Sequence, residues 1–319
     1  MKSYLRLTFL LLIFFPVLIV SGHTPLDTVG VHNTPESALL IDDPTKSWTL
    51  YEEVEDVNYY LVHLHEGEEL RVSLYVSIWG ESHFTPNLVV MGPDVVGSDE
   101  PPFIHPEDLG RVIIEGIRDY SPQYEPFTPA SYIYVASFSQ VASSDADYYL
   151  AVYGENHVGK YGMALGYRET FTLVEWFKIP LDLVGIHIWE GQPLLLLFGP
   201  PGLVLIIGVY LLFINVSRGQ ELPLTIQKLG GLIYFSSGVM TLTQMVVYLF
   251  ASGPSGSALL TFFFISAQLG MGCYLVRDTP RMTSTLLAAS VGGVLFWAGW
   301  IVGPVLVMSS GVVRSRLVS

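Results

Sequence analysis

The sequence predicts a β plus membrane-α protein: an antiparallel β-sandwich ectodomain followed by a four-helix transmembrane bundle. Three observations predict it. The 319 residues are 50% hydrophobic and only 14% charged, with a mean hydropathy of +0.47, too apolar for an ordinary soluble chain. Charge divides the chain: residues 24–190 carry 27 acidic and 7 basic side chains, a net of −20, whereas the remainder carries 2 acidic and 8 basic. The first half alternates in short apolar-polar segments, and the second holds four apolar runs of about 20 residues or more, enough to span a bilayer as helices.

From the N-terminus, Lys2 and Arg6 precede an apolar run, Leu7 to Val20, and Val20-Ser21-Gly22 offers small residues for cleavage before His23. This layout predicts a signal peptide over residues 1–22; an uncleaved anchor starting at Leu5 is the alternative. Both send the next residues outside. Residues 23–47, with Pro25, Pro35 and Pro44, read as an extended leader.

Strand signals then dominate residues 48–170. Tyr60, Val62 and Leu64 share one face of the segment Asn58–His65, and Leu70, Val72, Leu74 and Val76 one face of Glu69–Val76; Glu66-Gly67-Glu68 turns between them. Further strands are expected at 87–91, 112–115, 131–137, 148–153 and 161–165. Residues 94–130 contain six prolines and read mainly as a long insertion. Many short strands joined by polar turns predict a sandwich.

Three segments, in order, resemble a known family. Asp56-Val-Asn-Tyr-Tyr-Leu-Val-His-Leu-His-Glu-Gly-Glu-Glu-Leu-Arg-Val-Ser-Leu74 is similar to the opening hairpin of pre-peptidase C-terminal domains. Phe84-Thr-Pro-Asn-Leu-Val-Val-Met-Gly-Pro93 is similar to the next strand, and Asp147–Gly154 with Gly159–Leu165 to the closing pair. The match covers about residues 48–167 and departs at Asn58, where the family usually has Asp, and over the Pro-rich 94–130. The resemblance implies a jelly-roll-like, non-catalytic binding or spacer module of prokaryotic secreted or surface proteins. Some members of that family bind calcium, but the ligand set does not map onto this chain.

Residues 171–192 join the sandwich to the membrane. Trp176, Phe177 and Trp189 suit a headgroup region, predicting an interfacial segment interrupted at Pro180 and Gly185; a membrane-proximal strand is the alternative. The spans are expected at 194–216, 229–251, 257–276 and 285–308, in a membrane region 193–310 with a tail at 311–319. Arg218 and Lys228 flank the first connection, Arg277 and Arg281 the third, and 252–256 carries no charge. The positive-inside rule then leaves residues 23–190 extracellular in a multi-pass plasma-membrane protein. The tail disagrees: four spans place it outside, yet it carries Arg314 and Arg316.

Within the first span, Pro200 and Pro201 predict a kink or helix break, which would suit a transporter site or a bend near the outer interface. Gly299 and Gly303 form a GxxxG pair, which packs a bundle more readily than it dimerises. No span contains Asp, Glu, Lys, Arg or His, which argues against proton pumps, and no histidine pair could hold haem. Gln244 and Gln268 read as helix-joining hydrogen bonders, and Cys273, the single cysteine, as a buried structural thiol.

Chemistry is sparse. His63 and His65 share a strand face and are the metal candidates, with Glu66 or His83 as a third ligand. Asp42-Asp43 and Glu52-Glu53-Glu55-Asp56 could meet calcium but read better as a solvated acidic face. No nucleophile elbow, phosphate loop, HExxH or dinucleotide fingerprint occurs. Asn215-Val-Ser217 is a sequon at the cytoplasmic end of a span. An acidic chain is not a nucleic-acid binder. The expectation is a non-enzymatic binding or accessory subunit without a cofactor, partnered by the bilayer and another membrane protein. The alternatives are a small transporter or channel component using the break at Pro200-Pro201, and a metal-dependent ectoenzyme at His63 and His65.

Overall fold

The computed structural model describes residues 23–80, 84–155 and 158–318. The expected signal peptide and His83 lie outside the described residues. The strands are β1 (Thr24–Pro25), β2 (Leu39–Ile41), β3 (Trp48–Val54), β4 (Val57–Leu64), β5 (Glu69–Ser77), β6 (Pro86–Gly92), β7 (Gly110–Ile114), β8 (Gln123–Glu125), β9 (Ala130–Val141), β10 (Ala146–Gly154) and β11 (Gly159–Leu165). The helices are α1 (Leu173–Trp189), α2 (Leu194–Ser217), α3 (Leu222–Ser252), α4 (Ala258–Leu275), α5 (Thr283–Leu295) and α6 (Val302–Val318).

Two sheets face each other, in the orders β1-β3-β11-β5-β9-β8 and β2-β4-β10-β6-β7. Tyr60, Val62, Leu64, Leu70, Val72 and Leu74, the predicted inward set, are buried between them. The β4–β5 hairpin turns at Gly67, whose φ of 86° favours a residue without a Cβ. The sheets are mixed rather than purely antiparallel. The leader is not simply extended: β1 adds in parallel to β3 and β2 in parallel to β4. These strands of two and three residues are too short to show alternation. β3 was hidden because its acidic residues read as a charge cluster.

The 94–109 segment is built around Arg111, whose guanidinium donates to the carbonyls of Asp99, Pro106, Glu107 and Leu109 and to the Glu100 carboxylate. It lays Phe103 and Leu109 over Tyr59, Met91 and Tyr153, covering the outer face of the five-stranded sheet.

α1 begins with a capping box: the Thr172 hydroxyl accepts from the Glu175 N–H, and the Glu175 carboxylate accepts from the Thr172 N–H. It runs through Pro180 and Gly185 without interruption. α2, α3 and α4 are long and apolar enough to cross a membrane. α2 is also continuous through Pro200 and Pro201, so the expected helix break is absent. The neighbouring Ser236 hydroxyl on α3 donates to the Pro201 carbonyl (3.0 Å) and ties the two helices together there.

The fourth expected span is the main correction. Residues 285–308 are not one helix. α5 and α6 lie antiparallel about a turn at 296–301: Ser290 donates to the Pro304 carbonyl (3.1 Å), Thr283 to Gly311 (3.5 Å) and Arg314 to Arg281 (2.8 Å). Trp297, Gly299 and Trp300 take φ values of 53°, 70° and 52°. An irregular turn among apolar helices needs partners for its polar backbone. Gln268 donates to the Phe296 carbonyl, Trp176 to Val294, and the Gly299 N–H reaches the Ser237 hydroxyl. Tyr234 fills the inside of the hairpin: a Cβ at Gly293, Gly299 or Gly303 would come within 2.7 Å of its side chain. The GxxxG pair thus packs α6 onto α3.

The tail consequently ends beside the α4–α5 connection. Lys228 pairs with Asp278 and Gln220, Gln227 accepts from the Arg281 N–H, and Arg314 reaches Arg281, so these basic residues gather at the helix end away from the sandwich.

The hairpin is testable by crosslinking. In a Cys273→Ser background, Thr283→Cys with Gly311→Cys should form an intramolecular disulfide on mild oxidation, read by mass spectrometry, because a Cβ at Gly311 lies 3.4 Å from the Thr283 methyl. A single continuous helix would hold these residues about 40 Å apart at 1.5 Å per residue and give no crosslink.

Candidate functional site at the junction of sandwich and helices

The outer face of the six-stranded sheet is aromatic. Alternation sends Tyr51, Tyr75, Tyr132 and Tyr134 outward; the Tyr75 and Tyr132 rings lie 4.5 Å apart, and Tyr75 shares a 2.5 Å hydrogen bond with Thr49. Gly162 on β11 makes room, since a Cβ there would fall 2.0 Å from the Tyr75 ring.

The helix ends cover this face. Tyr75, Tyr124, Tyr132 and Ala164 share one buried cluster with Met245, Tyr248, Ala258 and Ile265. Tyr124 donates to the Thr261 hydroxyl (3.0 Å), Thr261 to the Pro126 carbonyl (2.8 Å) and Ser131 to the Tyr248 carbonyl (3.1 Å). A second cluster joins Phe127 of the sandwich to Ile179 of α1, Phe264 of α4 and the hairpin tip Phe296-Trp297.

Glu190, at the corner between α1 and α2, is the central polar group. Its side chain is fully buried, its Oε2 accepts from the Tyr248 hydroxyl, and His187 Nδ1 lies 3.0 Å from the same oxygen. Gln192 donates to Gln244 at 2.5 Å. Among the described residues, Glu190 Oε1, Gln192 Oε1 and Gln244 Nε2 have no direct partner. His187 and Gln244 also line a cavity of about 40 Å³ that continues past Thr241 and Gln268 to Trp297. That space suits about two or three waters, which polar groups without partners would hold. Burial, reinforced by the Glu190 charge, pushes the Tyr51 and Tyr132 hydroxyls well above their ordinary value, so they remain donors. The sequence concealed this site because Glu190 precedes the first span. The i, i+3 pair His187 and Glu190, followed by Gln192 just before an apolar run, was the available signal.

Trp176 packs on Trp297, with ring centroids 4.9 Å apart, and Trp189 packs on Tyr51 and donates to the Glu52 carbonyl. Phe177 stays exposed on α1 with Val174 and Leu181. Both tryptophans thus take part in the packing at the junction. Cys273 is exposed on α4, not buried.

His63 and His65 lie together, rings 5.2 Å apart, but each turns to an aspartate of the neighbouring strand or turn: His63 to Asp147 at 2.7 Å and His65 to Asp145 at 3.3 Å. Glu66 joins them only through its N–H, which donates to Asp145. No group of three or more His, Cys, Asp or Glu among the described residues is arranged to hold a metal ion. Of the two acidic runs, Asp43 pairs with Arg168. Glu55 and Asp56 line an open recess of about 940 Å³ beside Phe103 and Tyr153, together with Asp99, Glu100, Glu115 and Glu155. This recess adjoins the five-stranded sheet, on the side opposite the helices.

Solved structures similar to the sandwich include the pre-peptidase C-terminal domain of a Bacillus anthracis collagenase (16% identity, TM-score 0.25, covering 42% of this chain and 99% of that one). Others are an Aeromonas hydrophila periplasmic inhibitor of g-type lysozyme (14%, 0.23, 46% and 96%) and a surface-associated copper-binding protein of Methylomicrobium album (9%, 0.23, 44% and 100%). No protein-family model and no curated protein matches the sequence. The likeness is consistent with a β-sandwich and carries no functional argument.

Two measurements probe the junction. Tyr248→Phe removes the hydroxyl donor to a buried carboxylate and should destabilise the protein in detergent by about 1–3 kcal/mol; an unchanged melting temperature would remove Glu190 from its central place. Glu125, in β8 beside the tyrosines, is pushed up to about 7, first by burial and also by the Glu169 charge. A carboxyl with a raised folded pKa gains a proton on folding. Its stabilisation is therefore complete below about pH 4.3, the unfolded value, and is lost as pH rises through about 7. Glu125→Gln should match wild type near pH 4.5 and melt higher at pH 8, by roughly 2–4 °C for each kcal/mol in a domain of this size.

Proposed function

We propose that this chain is a non-enzymatic, multi-pass membrane protein that holds an acidic β-sandwich at the outer surface as an accessory or binding subunit for a cationic partner. The reading rests on the 940 Å³ carboxylate-lined recess on the side of the sandwich away from the helices. Phe103 and Tyr153 at the recess supply apolar contact beside the carboxylates, a combination that suits lysine- or arginine-rich surfaces.

In this reading α2, α3 and α4 cross the bilayer and the α5–α6 hairpin enters and returns. The basic connections and the tail bearing Arg314 and Arg316 then share the cytoplasmic side, and the disagreement with the positive-inside rule disappears. A lone sandwich needs one anchor. A bundle that grips it through two aromatic clusters and a buried carboxylate fixes its orientation as well, as a subunit meeting a partner in one geometry requires. The transporter alternative loses the helix break that motivated it.

Gentle purification of the full-length protein from its native membrane tests this. A stoichiometric partner should co-purify, be released as ionic strength rises, and be lost from a Glu55→Gln, Asp56→Asn, Glu115→Gln variant with unchanged melting temperature. A solitary wild-type protein, or a partner retained by the triple variant, would refute it.

A further inference from the structure

α5 packs against α6 but leans away from α4, leaving an apolar groove of about 590 Å³ between α4 and α5. Ala267, Gly270, Ala288 and Gly292 form its walls, Phe296 of the hairpin turn closes one end, and Tyr274 and Thr285 mark the other. From Phe263 to Tyr274 it follows α4 for about 16 Å at 1.5 Å per residue, close to half of a roughly 30 Å hydrocarbon core. The Tyr274 end is the basic end. Arg281 stacks over the Tyr274 ring at 3.9 Å and donates to the Tyr274 carbonyl, yet its Nε is buried and donates to no group among the described residues. Arg277, one turn away, is exposed.

An apolar slot one leaflet deep, ending at a tyrosine on which a guanidinium is stacked and held, has the chemistry of one lipid class. We propose that the groove is a specific site for an anionic phospholipid of the inner leaflet, one acyl chain lying between α4 and α5 and the phosphate accepting from Arg281. The groove separates lipid from protein packing: α5 can lean from α4 without leaving a void, because the acyl chain fills it. Arg281 is held by Tyr274 and by the Gln227 side chain at its own N–H, so little ordering is needed when the phosphate arrives.

The inference rests on the reading that α2–α4 cross the membrane. That reading fails separately, as release of the protein from membranes by alkaline carbonate. The site itself is tested by native mass spectrometry of the full-length protein in detergent with added dioleoyl phosphatidylglycerol, dioleoyl phosphatidylcholine or oleate. One phosphatidylglycerol should be retained in preference to the other two. Gly270→Leu should abolish retention, and it should fold, because a Cβ at Gly270 meets no atom within 4 Å. Arg281→Gln should weaken retention of phosphatidylglycerol by about tenfold and leave phosphatidylcholine unaffected. Equal retention of the three lipids, preference for oleate, or undiminished phosphatidylglycerol on Gly270→Leu would each overturn the proposal.

Discussion

A sheet face carrying Tyr51, Tyr75, Tyr132 and Tyr134 is too aromatic for water and too rich in hydroxyls for hydrocarbon. Burying it against helix ends that bring their own hydroxyls, carbonyls and one carboxylate resolves both demands. Tyr124 and Thr261, Ser131 and the Tyr248 carbonyl, and Tyr248 and Glu190 are the pairs that make the contact specific. The corner after α1 must place Glu190 there, so the helix start at Thr172, its cap and the start of α2 are all positioned by this contact. The sandwich is therefore a continuation of the bundle, and its acidic recess lies on the opposite side.

The hairpin obeys the same constraint. A turn at 296–301 exposes backbone groups that an apolar setting cannot solvate, so the surrounding helices and α1 supply Gln268, Ser237 and Trp176 as partners. Gln268, which the sequence offered as a helix joiner, is one of the side chains that make the turn tolerable. Tyr234 then requires Gly293, Gly299 and Gly303 around it, a packing role that needs no appeal to dimerisation.

The strands of the sandwich core were legible because alternation over five or more residues is a strong signal: the inward sets of β4 and β5 lie where the pattern put them. β1 and β2 were too short to read, and β3 was masked by its carboxylates. Hydropathy found the three long helices, but it counts apolar residues and is indifferent to where a chain reverses. It therefore merged α5 and α6 into one span. The clue was present: Arg314 and Arg316 violate the charge rule for four spans and satisfy it for three plus a hairpin. The Glu190 site was less accessible. Its members lie at positions 132, 187, 190, 192, 244 and 248, and only the docking of two domains brings them together.

The packing is continuous from one side of the molecule to the other. Phe296 closes the groove between α4 and α5, its neighbour Trp297 packs on Trp176 and Phe127, and Phe127 belongs to the sandwich. Close-packed aromatic contacts deform little, so α5 cannot shift against α4 without displacing the hairpin tip, and the tip cannot move without disturbing Phe127. Among the described residues the tip is also tied to α4 and α1 by the hydrogen bonds of Gln268 and Trp176. What fills the space beside α5 therefore bears on how firmly the sandwich is held, and the orientation of the acidic recess is set partly from within the helices.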